Sequence, residues 1–128
     1  MNVFVEISVG ELFDKITILK IKAEKIKDEK KLNNIKIELE ILQNEASKLP
    51  QTDDDLIQNI ENLKKINNQL WDIENIKREL ESAKDFGDNF INSSRDVHFK
   101  NDERAKIKKK INDLTNSNVT EEKEYSNY

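Results

Sequence analysis

Apolar residues recur along this chain at alternating spacings of three and four, which is typical of helices that each bury one face. The first series runs from Leu12 to Ile26 and follows the capping pattern of Ser8 and Glu11, three residues apart. The second series runs from Leu32 to Leu49, where Pro50 stops it. The first half of the chain is therefore predicted to form two helices.

The second half continues the pattern over longer stretches. A third helix is predicted over about residues 54–84 and a fourth over about residues 88–114. Phe86, Gly87 and Asp88 interrupt the pattern between them. Gly87 suits a left-handed position at the end of the third helix, and Asp88 can cap the fourth.

Both ends of the chain are predicted to lie outside the helices. Residues 1–7 alternate apolar side chains with other residues, as a strand does. The sequence contains no second strand candidate, so we expect a short extended arm packed on the helices. Residues 115–128 form a polar tail that is ordered at least in part. It still holds Val119, Tyr125 and Tyr128, which can pack against the helices.

These elements predict one all-α domain over residues 1–128, an antiparallel bundle of about four helices in which helices two to four are long. Two Gly and one Pro leave little material for tight turns, which argues against a β-rich fold. Strict heptad spacing also suits a coiled coil, so a homodimer of helical hairpins is the architectural alternative.

Composition narrows the function classes. The chain has no cysteine and one histidine, which excludes disulfides, thiolate metal sites and multi-histidine metal sites, and we predict neither a metal nor a cofactor. The net charge of −4 argues against a general nucleic-acid binder. No apolar run reaches the length of a membrane span, and the first residues do not resemble a signal peptide, so we expect a cytoplasmic protein without membrane contact.

Arginine is the unusual residue of this composition. Of 22 basic residues only three are arginine, namely Arg78, Arg95 and Arg104, and all lie in one stretch of the second half. In a chain that uses lysine so freely, a retained arginine indicates planar, bidentate bonding to a carboxylate or phosphate, which lysine does badly.

Helical spacing gathers these arginines into two polar stripes. The third helix places Asn67, Trp71, Glu74, Arg78 and Glu81 on one face, and the fourth does the same with Val97, Asn101, Arg104, Lys108 and Ile111. One interpretation is a structural ladder of ion pairs, Glu74 with Arg104 and Glu81 with Arg95. The other is an anion site formed by Trp71, Glu74, Arg78, Arg95, Asn101, Arg104 and Lys108.

Four further side chains are secondary candidates. Glu11 and Asp14 lie three apart with Lys15 adjacent, which resembles half of a magnesium motif, but no partner motif follows. We therefore interpret them as a capping acid and a solvated ion pair. His98 lies one turn from Arg95 and is interpreted as a surface histidine rather than a general base.

Short motifs span nearly the whole chain. They are Ile7-Ser8-Val9-Gly10-Glu11-Leu12, Asp14-Lys15-Ile16-Thr17-Ile18-Leu19, Leu70-Trp71 with Glu74, Phe86-Gly87, Phe90, Arg95, Asn101-Asp102, Arg104-Ala105, Lys108, Ile111-Asn112, and Glu121-Glu122-Lys123 with Tyr125 and Tyr128. In these motifs the chain resembles a small bacterial and phage family of unknown function. The resemblance implies a self-contained domain that includes its tail, and it implies no established activity. It also weakens a catalytic role for His98, which stands where that family has a tyrosine.

Members of that family are loosely associated with surface-polysaccharide and glycosyltransferase neighbourhoods. A second, weaker analogy is to the helical chorismate mutases, whose pocket holds a dicarboxylate with arginines, a lysine and a glutamate. The leading hypothesis is an accessory helical domain whose polar site binds a small anionic ligand or an acidic group of a protein partner. The alternatives are a small enzyme acting on a dicarboxylate or phosphate substrate, and a dimeric interaction module.

Overall fold

The computed structural model describes residues 1–128 and contains four helices and no strand. Helix α1 spans Val9–Lys25, α2 Glu29–Ala46, α3 Asp54–Ser82 and α4 Asp88–Thr115. The predicted all-α fold with four helices is thus confirmed, with boundaries within a few residues of those expected. None of these helices is long and apolar enough to cross a membrane.

The first three helices begin where a side chain caps free backbone N–H groups. Ser8 accepts a hydrogen bond from the backbone of Glu11, Asp28 from that of Lys31, and Asp53 from the two residues after Asp54. Short polar side chains of this kind satisfy donors that have no partner within the helix. The start of α1 at Ser8 confirms the prediction made from the spacing of Ser8 and Glu11.

The turn between α3 and α4 differs from the prediction. The left-handed residue is Lys84, with φ of 52°, whereas Gly87 has φ of −76° and an ordinary extended backbone. Gly87 is itself the N-cap of α4, so Asp88 is the first helical residue and not the cap. The glycine prediction was wrong because α3 ends earlier than Gly87. The backbone N–H groups of Lys84 and Asp85 donate to the carbonyls of Glu81 and Leu80, which places Lys84 in the left-handed position. The side chain of Asp85 then accepts the Gly87 N–H at 3.1 Å.

Helix α1 is the centre of the fold. It contacts each of the other three helices, α3 runs along α4, and α2 approaches only α1. One core cluster joins all four helices: Leu12, Phe13, Ile16, Ala46, Leu56, Leu63, Ile66 and Ile111. The core therefore lies where the first half of α3 and the end of α4 enclose α1.

The remainder of the α3–α4 hairpin extends beyond this core. These two helices contain 29 and 28 residues, so each is about 42–44 Å long, far longer than α1. No residue between Asn67 and Ile111 is fully buried. Ile76, Phe86 and Ile91 are about half exposed on this projecting part.

The N-terminal arm does not pack as expected. Val3, Phe4 and Val5 are 80%, 92% and 74% exposed, so residues 1–7 lie away from the helices. The expectation of an arm packed on the bundle was wrong, because α1 is already covered by the three other helices. The C-terminal tail, in contrast, is tied to the domain by several hydrogen bonds.

Candidate functional site

A buried carboxylate on α1 organises the polar side chains of α3 and α4. Asp14 is 1% exposed, and both of its oxygens accept hydrogen bonds from Arg104, from Nε at 3.0 Å and from Nη2. Asn67 on α3 donates to the same carboxylate at 2.8 Å. The Nζ of Lys108 lies 3.7 Å away. Three helices therefore meet at one ion pair with bidentate geometry.

Hydrogen bonding decides the charge state of this pair. Burial alone would raise the pKa of Asp14, but the bonds from Arg104 and Asn67 outweigh it and hold the pKa below its ordinary value of 3.8. The bonded carboxylate in turn raises the pKa of Arg104. Both side chains therefore stay charged at neutral pH.

The first turn of α1 lies directly against the end of α4. The backbone N–H of Gly10 donates to Oδ1 of Asn112 at 2.7 Å, and that of Val9 donates to Oγ of Ser117 at 3.2 Å. A Cβ on residue 10 would lie 2.6 Å from the carbonyl oxygen of Lys108, so only glycine permits this approach. Side chains from the end of the chain thus satisfy donors at the start of α1.

The tail completes this arrangement through one acidic side chain. Ser8 donates to Glu121 at 2.5 Å, and the amide of Asn112 donates to the other carboxylate oxygen at 3.4 Å. Burial alone would raise the pKa of Glu121, but these bonds and the nearby Lys108 lower it. An acidic group at the start of α1 also interacts favourably with the helix dipole.

An open groove adjoins the buried pair, between α1, α3 and α4. We call it the Trp71 groove, and its volume is about 440 Å³. Its apolar residues are Ile18, Ile21, Leu70 and Trp71, and its polar residues are Asn67, Glu74, Asn75, Arg78, Asn101 and Arg104. A concave site that combines apolar side chains with polar groups is typical of small-ligand sites.

Two guanidinium groups in the groove have donors to spare. Arg104 uses Nε and one Nη2 hydrogen on Asp14, while its Nη1 reaches Asn101 only at 3.5 Å. A guanidinium has five N–H donors, so its outer edge remains available, and its side chain is 30% exposed. Arg78 has no carboxylate within 4.0 Å. The groove can therefore present two guanidinium groups to a bound anion, beside the one carboxylate of Glu74.

The structure brings together most, but not all, of the residues proposed from the sequence. Trp71, Glu74, Arg78, Asn101 and Arg104 all line the groove. The other two members of the proposed site do not line it.

Arg95 lies 5.9 Å from the ring centre of Phe99, in a separate shallow cleft of α4. Lys108 pairs with Glu11 at 2.5 Å, on the other side of Arg104. The three guanidinium groups therefore do not converge on one point.

The predicted ladder of ion pairs between α3 and α4 is absent. Neither Glu74 nor Glu81 lies within 4.0 Å of a basic nitrogen, and the partner of Arg104 is Asp14. The ladder was inferred from two facing helices alone, whereas α1 lies along both and supplies the carboxylate.

The four secondary candidates lie in different environments. The interpretation of Asp14 as a solvated acid was wrong, because it is the buried partner of Arg104. Glu11 pairs with Lys108 and lies 4.0 Å from the exposed Lys15. His98 is exposed, as interpreted, and its ring packs against those of Phe99 and Tyr128. The chain contains no group of three or more acidic or histidine side chains placed to share a metal ion.

Comparison with known proteins agrees with the resemblance drawn from the motifs. The model of a family of unknown function matches residues 3–128, nearly the whole chain, which confirms membership of an uncharacterised family. Neither the curated proteins nor the solved structures contain a match to the chain.

Proposed function

We propose that the chain, which belongs to the family of unknown function DUF6165, binds a small ligand through an anionic group in the Trp71 groove. The observation that carries this proposal is the fixed orientation of the Arg104 guanidinium. Asp14 holds one edge of its guanidinium in a fixed orientation, and the other edge faces the groove. A pre-oriented guanidinium binds a carboxylate or phosphate with little further loss of side-chain freedom.

The groove offers a second contact for the same anion and a surface for the rest of the ligand. Arg78 lines it without a carboxylate partner of its own. Ile18, Leu70 and the half-buried Trp71 supply apolar area, and an aromatic ring binds flat groups well. A ligand with an anionic end and a less polar body fits this combination.

The test uses Arg78, because its side chain is exposed and its removal should leave the fold intact. Phosphate, succinate and glucose 1-phosphate are titrated into the full chain by calorimetry. We expect at least one to bind, and Arg78→Gln to weaken it about tenfold, as for a lost charged hydrogen bond. The unfolding temperature without ligand should not change.

Arg95→Gln is the matched control. It removes the same charge from the same stretch of chain, but it lies outside the groove. The proposal is wrong if no anion binds, or if Arg95→Gln weakens binding as much as Arg78→Gln. Equal losses would mean that net charge, not the groove, attracts the anion.

A second candidate function is self-association through the projecting part of the α3–α4 hairpin. This part has no fully buried residue and exposes Ile76, Phe86 and Ile91. It carries both acidic and basic residues, so a second copy can match it in charge. Two such hairpins packed together would form a four-helix bundle and bury the exposed residues.

Sedimentation velocity tests this second candidate. A dimer through the hairpin should dissociate in Ile76→Glu and Ile91→Glu, because each variant would bury a charge in the contact. Ile41→Glu is the control, since Ile41 is similarly exposed but lies on α2. A monomer in the unaltered protein, or equal dissociation by all three variants, would exclude the hairpin contact.

A further inference from the structure

Arg104 lies at the junction of two clefts. Its side chain lines both the Trp71 groove and a small cleft between α4 and the C-terminal tail. Asn101 also lines both. A ligand that contacts the outer edge of Arg104 in the groove therefore has a second compartment directly beside it. We call this second compartment the tail cleft.

Half of the residues that line the tail cleft are basic. Four cations surround it: Arg104, Lys108, Lys109 and Lys123. The one carboxylate in its lining is Glu121, whose oxygens already accept hydrogen bonds from Ser8 and Asn112. The carboxylate of this cleft is thus engaged by other groups.

Two of the four cations have no acidic partner. Arg104 and Lys108 are paired with Asp14 and Glu11, but no carboxylate lies within 4.0 Å of Lys109 or Lys123. Lys109 projects from α4 and Lys123 from the tail, so the two approach the cleft from opposite walls. An anion between them would gain contacts from both walls.

The size of the tail cleft limits what can occupy it. Its volume is about 60 Å³. About 10–15 Å³ of such volume holds one water molecule, so the cleft holds a few waters or one tetrahedral oxyanion. A compact, highly charged group such as a phosphoryl group fits both its size and its lining.

We infer that the ligand of this protein carries a diphosphate, with one phosphoryl group in the Trp71 groove and the other in the tail cleft. This inference rests on the proposed function, which supplies the first anionic contact. Arg104 would donate to both phosphoryl groups from its outer edge, and Lys109 and Lys123 would bind the one in the tail cleft. The C-terminal tail then forms part of the binding site as well as part of the fold.

Inorganic pyrophosphate and orthophosphate are suitable probes, titrated by calorimetry into the full chain at constant ionic strength. We expect pyrophosphate to bind about tenfold more tightly or better, because its second group adds charged contacts. The double variant Lys109→Gln/Lys123→Gln should remove most of that advantage, so that it binds pyrophosphate about as tightly as orthophosphate. Both side chains are exposed, so the variant should fold normally.

Lys110→Gln combined with Lys106→Gln is the control for charge, because these lysines lie on the same helix and do not line the tail cleft. If pyrophosphate binds no better than orthophosphate, the diphosphate inference fails while the proposed function stands. An equal loss in the control variant would also overturn it. If neither probe nor any anion of the earlier panel binds, the proposed function fails as well.

Discussion

Gly10 offers a test of the contact between α1 and α4 in which two effects oppose each other. Alanine favours a helix over glycine by up to about 1 kcal/mol, so propensity alone predicts that Gly10→Ala stabilises the protein. The structure predicts the opposite. The new Cβ would lie 2.6 Å from the carbonyl oxygen of Lys108 and 2.9 Å from Oδ1 of Asn112. Ordinary contact begins near 3.4 Å, so α1 and α4 must separate by several tenths of an ångström.

The size of the effect follows from what this separation disturbs. Overpacking of a tight contact costs about 1–3 kcal/mol. The hydrogen bond from Gly10 to Asn112, now 2.7 Å, would also lengthen, at a cost of about 1 kcal/mol or more if the N–H is left without a partner. The gain in propensity is smaller than this sum, so we expect a net loss of about 1–3 kcal/mol.

Urea unfolding followed by circular dichroism measures this loss, and thermal unfolding should show a midpoint lower by roughly 3–15 °C. Gly87→Ala is the matched control. Gly87 has an ordinary negative φ, and the nearest atom to a new Cβ is a flexible Asp85 carboxylate at 3.2 Å. Its stability should change by less than about 1 kcal/mol. A Gly10→Ala protein as stable as the parent would refute the close approach of α1 and α4.

Three further predictions concern the polar network beneath the groove. Asp14→Asn should reduce the free energy of unfolding in urea by about 3 kcal/mol, since it leaves Arg104 without its charge partner. Adding Arg104→Gln to that variant should reduce the free energy little further, and additive losses would contradict the pairing. Because the pKa of Asp14 is lowered in the folded protein, its stabilising effect is present above the ordinary value of 3.8 and is lost as pH falls below that value. The urea midpoint of Asp14→Asn should therefore fall less steeply between pH 6 and 3 than that of the unaltered protein. Parallel curves for the two proteins would contradict this. Ser8→Ala removes the cap of α1 and should lower stability by about 1–2 kcal/mol in the same assay, whereas Ser47→Ala, at an exposed C-cap, should have little effect.

The helices could be predicted from the sequence because their signals are local. Apolar residues at helical spacing, a cap at Ser8 and a stop near Pro50 each act within one or two turns. The four helices of the structure lie at nearly the predicted positions. The turn at residues 83–87 was predicted less well, since the left-handed residue that ends α3 is Lys84 and not a glycine. Its conformation goes with backbone hydrogen bonds from Lys84 to Glu81 and from Asp85 to Leu80.

The candidate site was predicted only in part, because it depends on which helices meet. Trp71, Arg78 and Arg104 were placed correctly on facing stripes, yet the partner of Arg104 came from a third helix. One signal was present in the sequence: Phe13, Ile18 and Ile21 lie outside the main apolar stripe of α1. A helix that is apolar on more than one face is surrounded by others, so a polar residue among these positions needs a buried partner.

The three arginines are therefore explained by three different environments. Lysine cannot reproduce the two parallel hydrogen bonds that Arg104 makes to Asp14, so Arg104→Lys should reduce stability. At Arg78, which has no such partner, the same change should leave stability intact and affect only an anion that needs a planar contact. At Arg95 a lysine keeps the charge near the ring of Phe99, so neither stability nor anion binding should change much. The lysine series thus separates the arginine that holds the fold together from the one proposed to bind a ligand.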